Sequence, residues 1–332
     1  MLYPNFKKFI AEGGLVTEGS AVVLSVSGGV DSMVMMDLVS RLARPMKLSV
    51  TVAHVNHRLR GRNSDADEEL VRHAAEAYDF DFMLKRARPP KGRNLQDAAR
   101  RIRMEFLNRA AGKCGATCVL IAHNRGDQAE TMLMHLIRGA GLEGLAGMRS
   151  SAMAGSVKIV RPLLFAARGE IERYARERGI EFRQDESNLT DRYRRNDIRL
   201  KLIPMLTRFN PRIEEGLADM CERLACENDV LALIAETGFH DALSDESEGR
   251  VALARDAYSE MPRAIRIRML KMAWERAAGG RADLNSDQLG RMDQVALAEK
   301  PSGEYRLKAP FEFVRHGDVI EIGRRPSRGR RH

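Results

Sequence analysis

The chain has 332 residues and is short of several things. Its four cysteines, Cys114, Cys118, Cys221 and Cys226, fall at C-x3-C and C-x4-C spacings. That is too few for a disulfide scaffold and not the C-x2-C spacing of a zinc or redox pair, so they read as reduced thiols in the cytoplasm. No stretch approaches the ~18 uncharged apolar residues that a spanning helix needs, which excludes a membrane protein of that kind. The N-terminus, MLYPNFKKFIAEGG, lacks the apolar stretch and small-residue cleavage site of a secretion signal. Lysine is scarce, at 11 of the 55 basic side chains, so the basic surplus is nearly all arginine.

What is present is a normal apolar fraction of 44%, enough to bury a real core. The length suggests about two domains. The net charge is +9, unevenly spread. Residues 1–213 carry 36 basic and 24 acidic side chains, residues 214–250 carry 2 and 11, and residues 251–332 carry 17 and 11. Two basic blocks flank an acidic bridge, a pattern that suggests a polyanionic partner.

Strand and helix signals alternate in the first part. Short apolar runs predict strands at Ala21–Val26, Leu48–Val55, Phe80–Lys85, Thr117–Ala122 and Val157–Val160. Between them fall helices at Val30–Ala43, Ser64–Tyr78 (opened by Ser64 with Asp67 three residues on), Asn94 to about Ala111, Asp127–Ile137 and Arg168–Arg178. The expected fold is α/β, a doubly wound, mostly parallel sheet covered on both faces. The pattern changes near residue 205. Pro211 then falls at the first turn of a long helix to about Ile234, followed by helices at Pro262–Ala278 and Ser286–Glu299 and short strands at Glu304–Leu307, Phe311–Arg315 and Val319–Ile322. The expected division is an α/β domain over 1–210, a mainly helical domain with a small terminal β element over 211–322, and a disordered basic tail over 323–332.

The most informative hexapeptide is Ser27-Gly28-Gly29-Val30-Asp31-Ser32, between a buried strand and a helix. Two glycines let the backbone turn tightly against an anion. The helix start offers N–H groups and partial positive charge, and the serines add hydroxyl donors. Asp31 does not favour bare phosphate; its fitting partner is a Mg²⁺ that travels with phosphates. No Walker A loop and no G-x-G-x-x-G occurs here.

Four further segments carry chemistry. His54-Val55-Asn56-His57-Arg58-Leu59-Arg60 ends the second strand, where ligands gather in such sheets. Arg100 and Arg103 share a helix face at i, i+3. His123-Asn124-Arg125-Gly126-Asp127-Gln128-Ala129-Glu130 follows the fourth strand and continues to Arg138-Gly139-Ala140-Gly141, with Asp127 and Glu130 on one face of a helix start. Asp185-Glu186-Ser187-Asn188 and Arg195-Asn196-Asp197-Ile198-Arg199 crowd acids, amides and guanidinium groups into one stretch.

The hexapeptide resembles the signature of the PP-loop, or N-type ATP pyrophosphatase, family. By itself it leaves GMP, NAD and argininosuccinate synthetases and the tRNA-modifying members open. All five segments in this order, with Arg161-Pro162-Leu163-Leu164, resemble the tRNA(Ile)-lysidine synthetase family over residues 18–206. The DES-N…RN-x-x-R segment is the most diagnostic part of the match. Asn124 stands where a second His is usual, Gly126 where the first of two acids is usual, Arg58 for a common Gly and Met104 for a common Tyr.

The resemblance implies an enzyme that uses ATP and Mg²⁺ to join free L-lysine to the wobble cytidine of an isoleucine tRNA with a CAU anticodon. It implies that Ser27, Gly28, Gly29, Val30, Asp31 and Ser32, with Ala53, His54 and His123, bind the nucleotide. Asp31 would hold the metal, and Asp31, Asp127, Glu130 and Arg100 would serve catalysis. Arg103, Arg138, Asp185, Glu186, Asn188, Arg195, Asn196 and Arg199 would meet the substrates. Asp127 and Glu130 are the candidates to hold and deprotonate the lysine ammonium, with Asp185 and Glu186 as alternatives. The oligomeric state stays open, a homodimer being one option, and the length suggests a shorter form of the family. Two other readings stay open beside this one: a PP-loop ligase acting on a small molecule, and a non-catalytic RNA-binding protein with a decayed site.

Overall fold

The computed structural model describes residues 1–58, 61–88, 95–183, 195–280, 284–307 and 310–324. Two compact units result, Met1–Ala225 and Cys226–His332.

The first unit runs α1 (Leu2–Glu12), β1 (Ala21–Ser25), α2 (Val30–Ala43), β2 (Ser49–Asn56), α3 (Arg62–Ala77), β3 (Asp81–Arg86), α4 (Leu95–Cys114) and β4 (Cys118–Ile121). It continues with α5 (Arg125–Ile137), α6 (Leu142–Leu145), β5 (Ser151–Ala154), β6 (Val157–Val160), α7 (Arg168–Arg178), α8 (Arg195–Asp197), a π-helical turn at Ile198–Leu202 and α9 (Ile203–Thr207). The long α10 (Ile213–Ala242) passes through the division between the units.

The strands form one sheet in the order β3-β2-β1-β4-β6-β5, parallel except for β5. Central β1 shows why the sequence reads as it does. Val22 and Leu24 pack into the core with α1, α2, α3 and α7, while Val23 faces Leu107, Ala110 and Ala111 of α4. A strand covered on both faces must be apolar at every position, not at alternate ones. Each such side chain contributes about 1.5–3 kcal/mol by leaving water. From β1 the chain crosses to β2 on one side and later to β4 on the other. The loops at the carboxyl ends of β1 and β4 therefore diverge at the reversal point of the sheet, where a ligand finds a crevice.

All five expected strands are present. β5 is an addition: its Ser-Ala-Met-Ala sequence has no β-branched signal and is held by its antiparallel pairing to β6. Ser64 is not the helix cap expected of it. α3 begins two residues earlier behind Gly61, which takes φ of 53° and caps without a side chain. Pro211 lies in the turn before α10 rather than inside its first turn. Asn94 lies outside the described residues.

In the second unit α10 reaches Ala242, beyond the expected end near Ile234, because Ala235, Phe239 and Ala242 dock in that unit's core. There follow β7 (Leu243–Ser247), β8 (Arg250–Ala254), α11 (Arg255–Glu260), α12 (Arg263–Ala277), α13 (Ser286–Leu297), β9 (Ser302–Arg306), β10 (Phe311–His316) and β11 (Val319–Arg324). The antiparallel sheet has the order β7-β8-β11-β10-β9 and packs on Trp274, Met269 and Leu270 of α12. β7 and β8 were not legible as strands. Residues 325–332, most of the basic tail, lie outside the described residues, and Arg324 closes β11. No helix among the described residues is long and apolar enough to cross a membrane.

Candidate active site

The loop leaving β1 is an internally bonded turn. Gly28 takes φ of +94°, a conformation that other residues rarely adopt, and this rather than crowding is what requires glycine. Ser32 Oγ accepts the Ser27 N–H at 3.1 Å and donates to the Gly29 carbonyl at 2.9 Å. The Ser27 and Ser32 hydroxyls lie 3.1 Å apart. Ser32 thus pins the loop from inside. Gly29 caps α2 with no side-chain acceptor, so no side chain competes for the N–H groups of the first turn, where Val30 and Asp31 sit. Such a turn is suited to phosphate oxygens.

Ala53 and His54 brace this loop. The Ala53 carbonyl accepts the Val26 N–H at 3.1 Å. Buried His54 donates through Nδ1 to the Val26 carbonyl at 2.8 Å, and burial holds its pKa below the usual value, keeping the ring neutral. Arg183 adds a tether that the sequence did not disclose. Its N–H donates to the Gly28 carbonyl at 3.0 Å, and its side chain pairs with Asp67 at 2.8 Å.

Across the reversal point, Asn124 joins the two loops. Its carbonyl oxygen accepts the Asp127 N–H at 3.1 Å, and Asp127 Oδ2 accepts the Asn124 N–H at 3.0 Å, a reciprocal cap on α5. The Asn124 amide donates to Asp31 Oδ1 at 3.1 Å. Burial pushes the Asp31 carboxyl above its usual range, the nearby Asp127 charge adds to this, and the Asn124 hydrogen bond opposes it. Gly126 fits this arrangement. A Cβ there would sit 3.2 Å from Asn124 Oδ1, and Glu214 Oε2 would lie 3.7 Å from it. One acid of the bridge region, Glu214 of α10, therefore faces the place where the usual acid is missing.

Asp127 and Glu130 form one cluster with two arginines. Arg195 donates from Nε to Glu130 at 2.6 Å and from Nη2 to Asp127 at 2.9 Å. Arg199 donates from Nε to Glu130 at 2.5 Å and from Nη2 to Asp127 at 3.5 Å. The Glu130 side chain is 3% exposed, so both its oxygens are spent on guanidinium groups here. The sequence suggested this stretch only as crowded charge; the fold makes it a four-membered pair.

Arg103, His123, His57 and Arg161 form a further set of basic side chains, in which the Arg103 charge acts on His57 and His123 and the Arg161 charge acts on His123. Its members come from α4 and from the carboxyl ends of β4, β2 and β6. Arg100, exposed on α4, adds charge to it. Burial first, and then the arginines, push the His123 pKa down to about 3, so the ring is neutral near pH 7. His57 and Arg161 were legible only as motif members without a role.

The remaining expected residues are placed as follows. Arg138, exposed at the end of α5, lines a cavity of about 600 Å³ whose other walls are the apolar Met134, Ile137, Ile198, Leu202 and Met205 and the charged Asp197 and Lys201. Asn196 is half-buried in α8. Asp185, Glu186 and Asn188 lie outside the described residues. For Mg²⁺, the donor set fits: Asp31 has an elevated pKa with the Asp127 charge acting on it, and Mg²⁺ characteristically takes one or two carboxylates plus phosphates and water. Among the described residues no cluster of three or more His, Cys, Asp or Glu is arranged as an all-protein metal cage.

This loop and sheet define a class. Residues 2–206 match the PP-loop domain family, so this is an ATP-utilising domain of that type. The fold is shared with the U34-tRNA thiolase NcsA from Methanococcus maripaludis, at a TM-score of 0.55 and 20% identity over 67% of this chain and 77% of that one. Over nearly its whole length the chain is similar to tRNA(Ile)-lysidine synthases. Identity is 37% to that of Geobacter sulfurreducens, over 96% of this chain and 68% of that protein. It is 35% to that of Solibacter usitatus, over 94% and 70%. The chain belongs to the tRNA(Ile)-lysidine synthase family and is a ligase.

Proposed function

We propose that this enzyme joins free L-lysine to C2 of the wobble cytidine in the CAU anticodon of an isoleucine tRNA, forming lysidine, so that the anticodon reads AUA instead of AUG. In the first step O2 of the cytidine attacks the α-phosphorus of ATP and pyrophosphate leaves. In the second the lysine ε-amine attacks C2 and AMP leaves with that oxygen. Adenylation turns an oxygen that cannot depart into one that can.

The observation that carries this reading is the Asn124 bridge. It ties Asp31 of the phosphate loop to the carboxylate pair of α5. ATP and an ammonium nucleophile would thereby meet at one sheet edge. The α2 N-terminus, with the Val30 and Asp31 amides of its first turn, would take the leaving pyrophosphate. Asp31, with Asp127 in reach, would hold Mg²⁺, which when bound offsets phosphate charge. Asp127 and Glu130 would take the lysine ammonium in exchange for part of their bonding to Arg195 and Arg199. An amine with a reference pKa near ~10.4 must lose a proton before attack, and a carboxylate at hydrogen-bond distance is the group to receive it. The target base must leave the anticodon stack to reach this edge. The basic residues 251–332 would clamp tRNA phosphates and make affinity salt-sensitive.

The test combines protein, ATP, Mg²⁺, radiolabelled lysine and the tRNA, followed by mass spectrometry of the nucleosides. Lysidine with stoichiometric AMP and pyrophosphate is expected. Tight tRNA binding without lysine incorporation would sink the reading, and activity that survives RNase would point to a small-molecule acceptor.

A further inference from the structure

The phosphate loop has a conformational weak point at its centre. Gly28 and Gly29 stand side by side, so no side chain on either flank fixes which way the peptide between them faces. Turned one way, that peptide offers an N–H to an anion; turned the other way, it offers a carbonyl oxygen, which repels one. Its direction is set from outside the loop. The Gly28 carbonyl accepts the Arg183 N–H at 3.0 Å, and Gly28 is buried. In a planar trans peptide the N–H and C=O point oppositely, so the Gly29 N–H faces the other way. There it meets Ser27 Oγ at the long distance of 3.4 Å, and Ser27 Oγ lies 3.1 Å from Ser32 Oγ. The N–H therefore points into the turn that opens α2.

Arg183 is held firmly enough to do this. Ile180 and Phe182, just after α7, pack against the first unit's core. The Arg183 guanidinium then grips α3 at two places. Nε pairs with the buried carboxylate of Asp67 at 2.8 Å, and Nη2 donates to Asn63 Oδ1 at 3.2 Å. The same helix is the wall behind Gly28, where a Cβ would stand 3.5 Å from Asp67 Cβ and 3.6 Å from Val71 Cγ2. Loop, α3 and the segment after α7 thus meet at one residue. The Arg183 side chain is 41% exposed, so its ion pair adds little to global stability. Its effect is local: it fixes the backbone at residue 183, and with it the N–H that holds the Gly28 carbonyl.

We infer that Arg183 is a positioning residue for the phosphate loop. Its two bonds to α3 hold its backbone N–H on the Gly28 carbonyl, which keeps that oxygen away from a bound phosphate chain and turns the Gly29 N–H toward it. Arg183 acts through the loop and not on the reacting atoms. The inference rests on the reading of this loop as the phosphate site, given above.

The test measures binding of inorganic pyrophosphate and of α,β-methylene-ATP, each with Mg²⁺, to the full chain by calorimetry. The variants are Arg183→Met, which keeps the length and loses both bonds to α3, and Arg183→Lys, which can still pair with Asp67. Arg183→Met is expected to weaken both ligands about 3- to 10-fold. Arg183→Lys should recover most of that loss, and both melting temperatures should stay within about 2 °C of the wild type. In turnover the ATP KM rises by the same factor, while the lysine and tRNA KM values do not move. A second readout watches the peptide itself. The chain has three Gly–Gly pairs, at 13–14, 28–29 and 279–280, so glycine labelled with ¹³C at the carbonyl and ¹⁵N at the amide gives three carbonyl–amide correlations. The 28–29 signal is identified by its absence in Gly29→Ala. Pyrophosphate should shift it in the wild type, and Arg183→Met should displace or broaden it before any ligand is added. Wild-type affinity in Arg183→Met with that signal unmoved would overturn the inference. So would a loss that Arg183→Lys does not recover and that comes with a lower melting temperature, which would make Arg183 a plain structural tie. If the wild type binds neither ligand, the phosphate-loop reading fails and the inference with it. If it binds both yet forms no lysidine, the proposed reaction fails and the inference stands.

Discussion

Both units bury arginine and carboxylate, but they complete that charge differently. In the second unit Arg315 is 2% exposed, and its donors go to the carbonyls of Val295 at 3.1 Å, Gly317 at 3.3 Å and Lys300. Asp293 accepts from Tyr258 at 2.7 Å and from Arg266 at 2.8 and 3.1 Å. In the first unit Arg103 and Arg161 bury Nε atoms with no partner among the described residues, and Asp31 stays desolvated with the Asn124 amide as its donor there. Saturated buried charge holds a fold together, because each group has recovered what it lost on leaving water. Unsaturated buried charge costs stability and persists where a ligand completes it.

The contrast is sharpest at Asp31. Asp31→Asn is expected to cut pyrophosphate release about 10²- to 10³-fold. Its carboxyl is held above the usual range, so the folded state binds the proton more tightly than the unfolded one, and the ionised group costs stability at neutral pH. The melting temperature of Asp31→Asn should therefore equal or exceed that of the wild type at pH 7 and lose the advantage in acid. A clear drop would place Asp31 with the saturated, structural charges.

Glu130→Gln comes next. Lysine incorporation should fall about 100-fold, mostly as a higher lysine KM, while tRNA-dependent pyrophosphate release stays within a few-fold. Equal loss of both steps would make the cluster with Arg195 and Arg199 a scaffold rather than an ammonium site.

Arg315→Met probes the other side of the comparison. Removing donors from three carbonyls should cost about 2–4 kcal/mol in denaturant unfolding, with turnover per folded molecule unchanged. A fall in turnover without a fall in stability would break the division drawn here.

Glu68 tests whether saturation matters more than location. It lies in the first unit but is fully engaged: Arg86 donates at 2.6 and 3.0 Å and Asn56 at 3.0 Å. Arg86 above all pulls its pKa from 4.5 down to about 2. The stabilisation is present above the unfolded value and is lost as pH falls from about 4.5 to about 2. With Arg86 half-exposed, the effect should be about 1–2 kcal/mol, read as the difference in acid stability between wild type and Glu68→Gln.

Much of the architecture was written in local pattern. The five parallel strands and the phosphate loop stand out because a strand buried on both faces is apolar throughout and because a tight anion-binding turn needs glycine. The order of the motifs was enough to point to the family. β5, β7 and β8 were not legible: β5, exposed in its middle, and β7, exposed over most of its length, are held by pairing to a neighbouring strand, while the short β8 buries Val251 and Leu253 in the second unit's core. The site divides in the same way. Residue types along the chain marked Asp31, Asp127 and Glu130 as chemically apt. Only the tertiary structure joined Asp31 to Asn124 across 93 positions, closed Arg195 and Arg199 onto the α5 acids, and let the Arg103 charge act on His57 and His123. Whether a charge is paired or left waiting depends on desolvation and on neighbours distant in sequence, and both are set by how the strand ends meet.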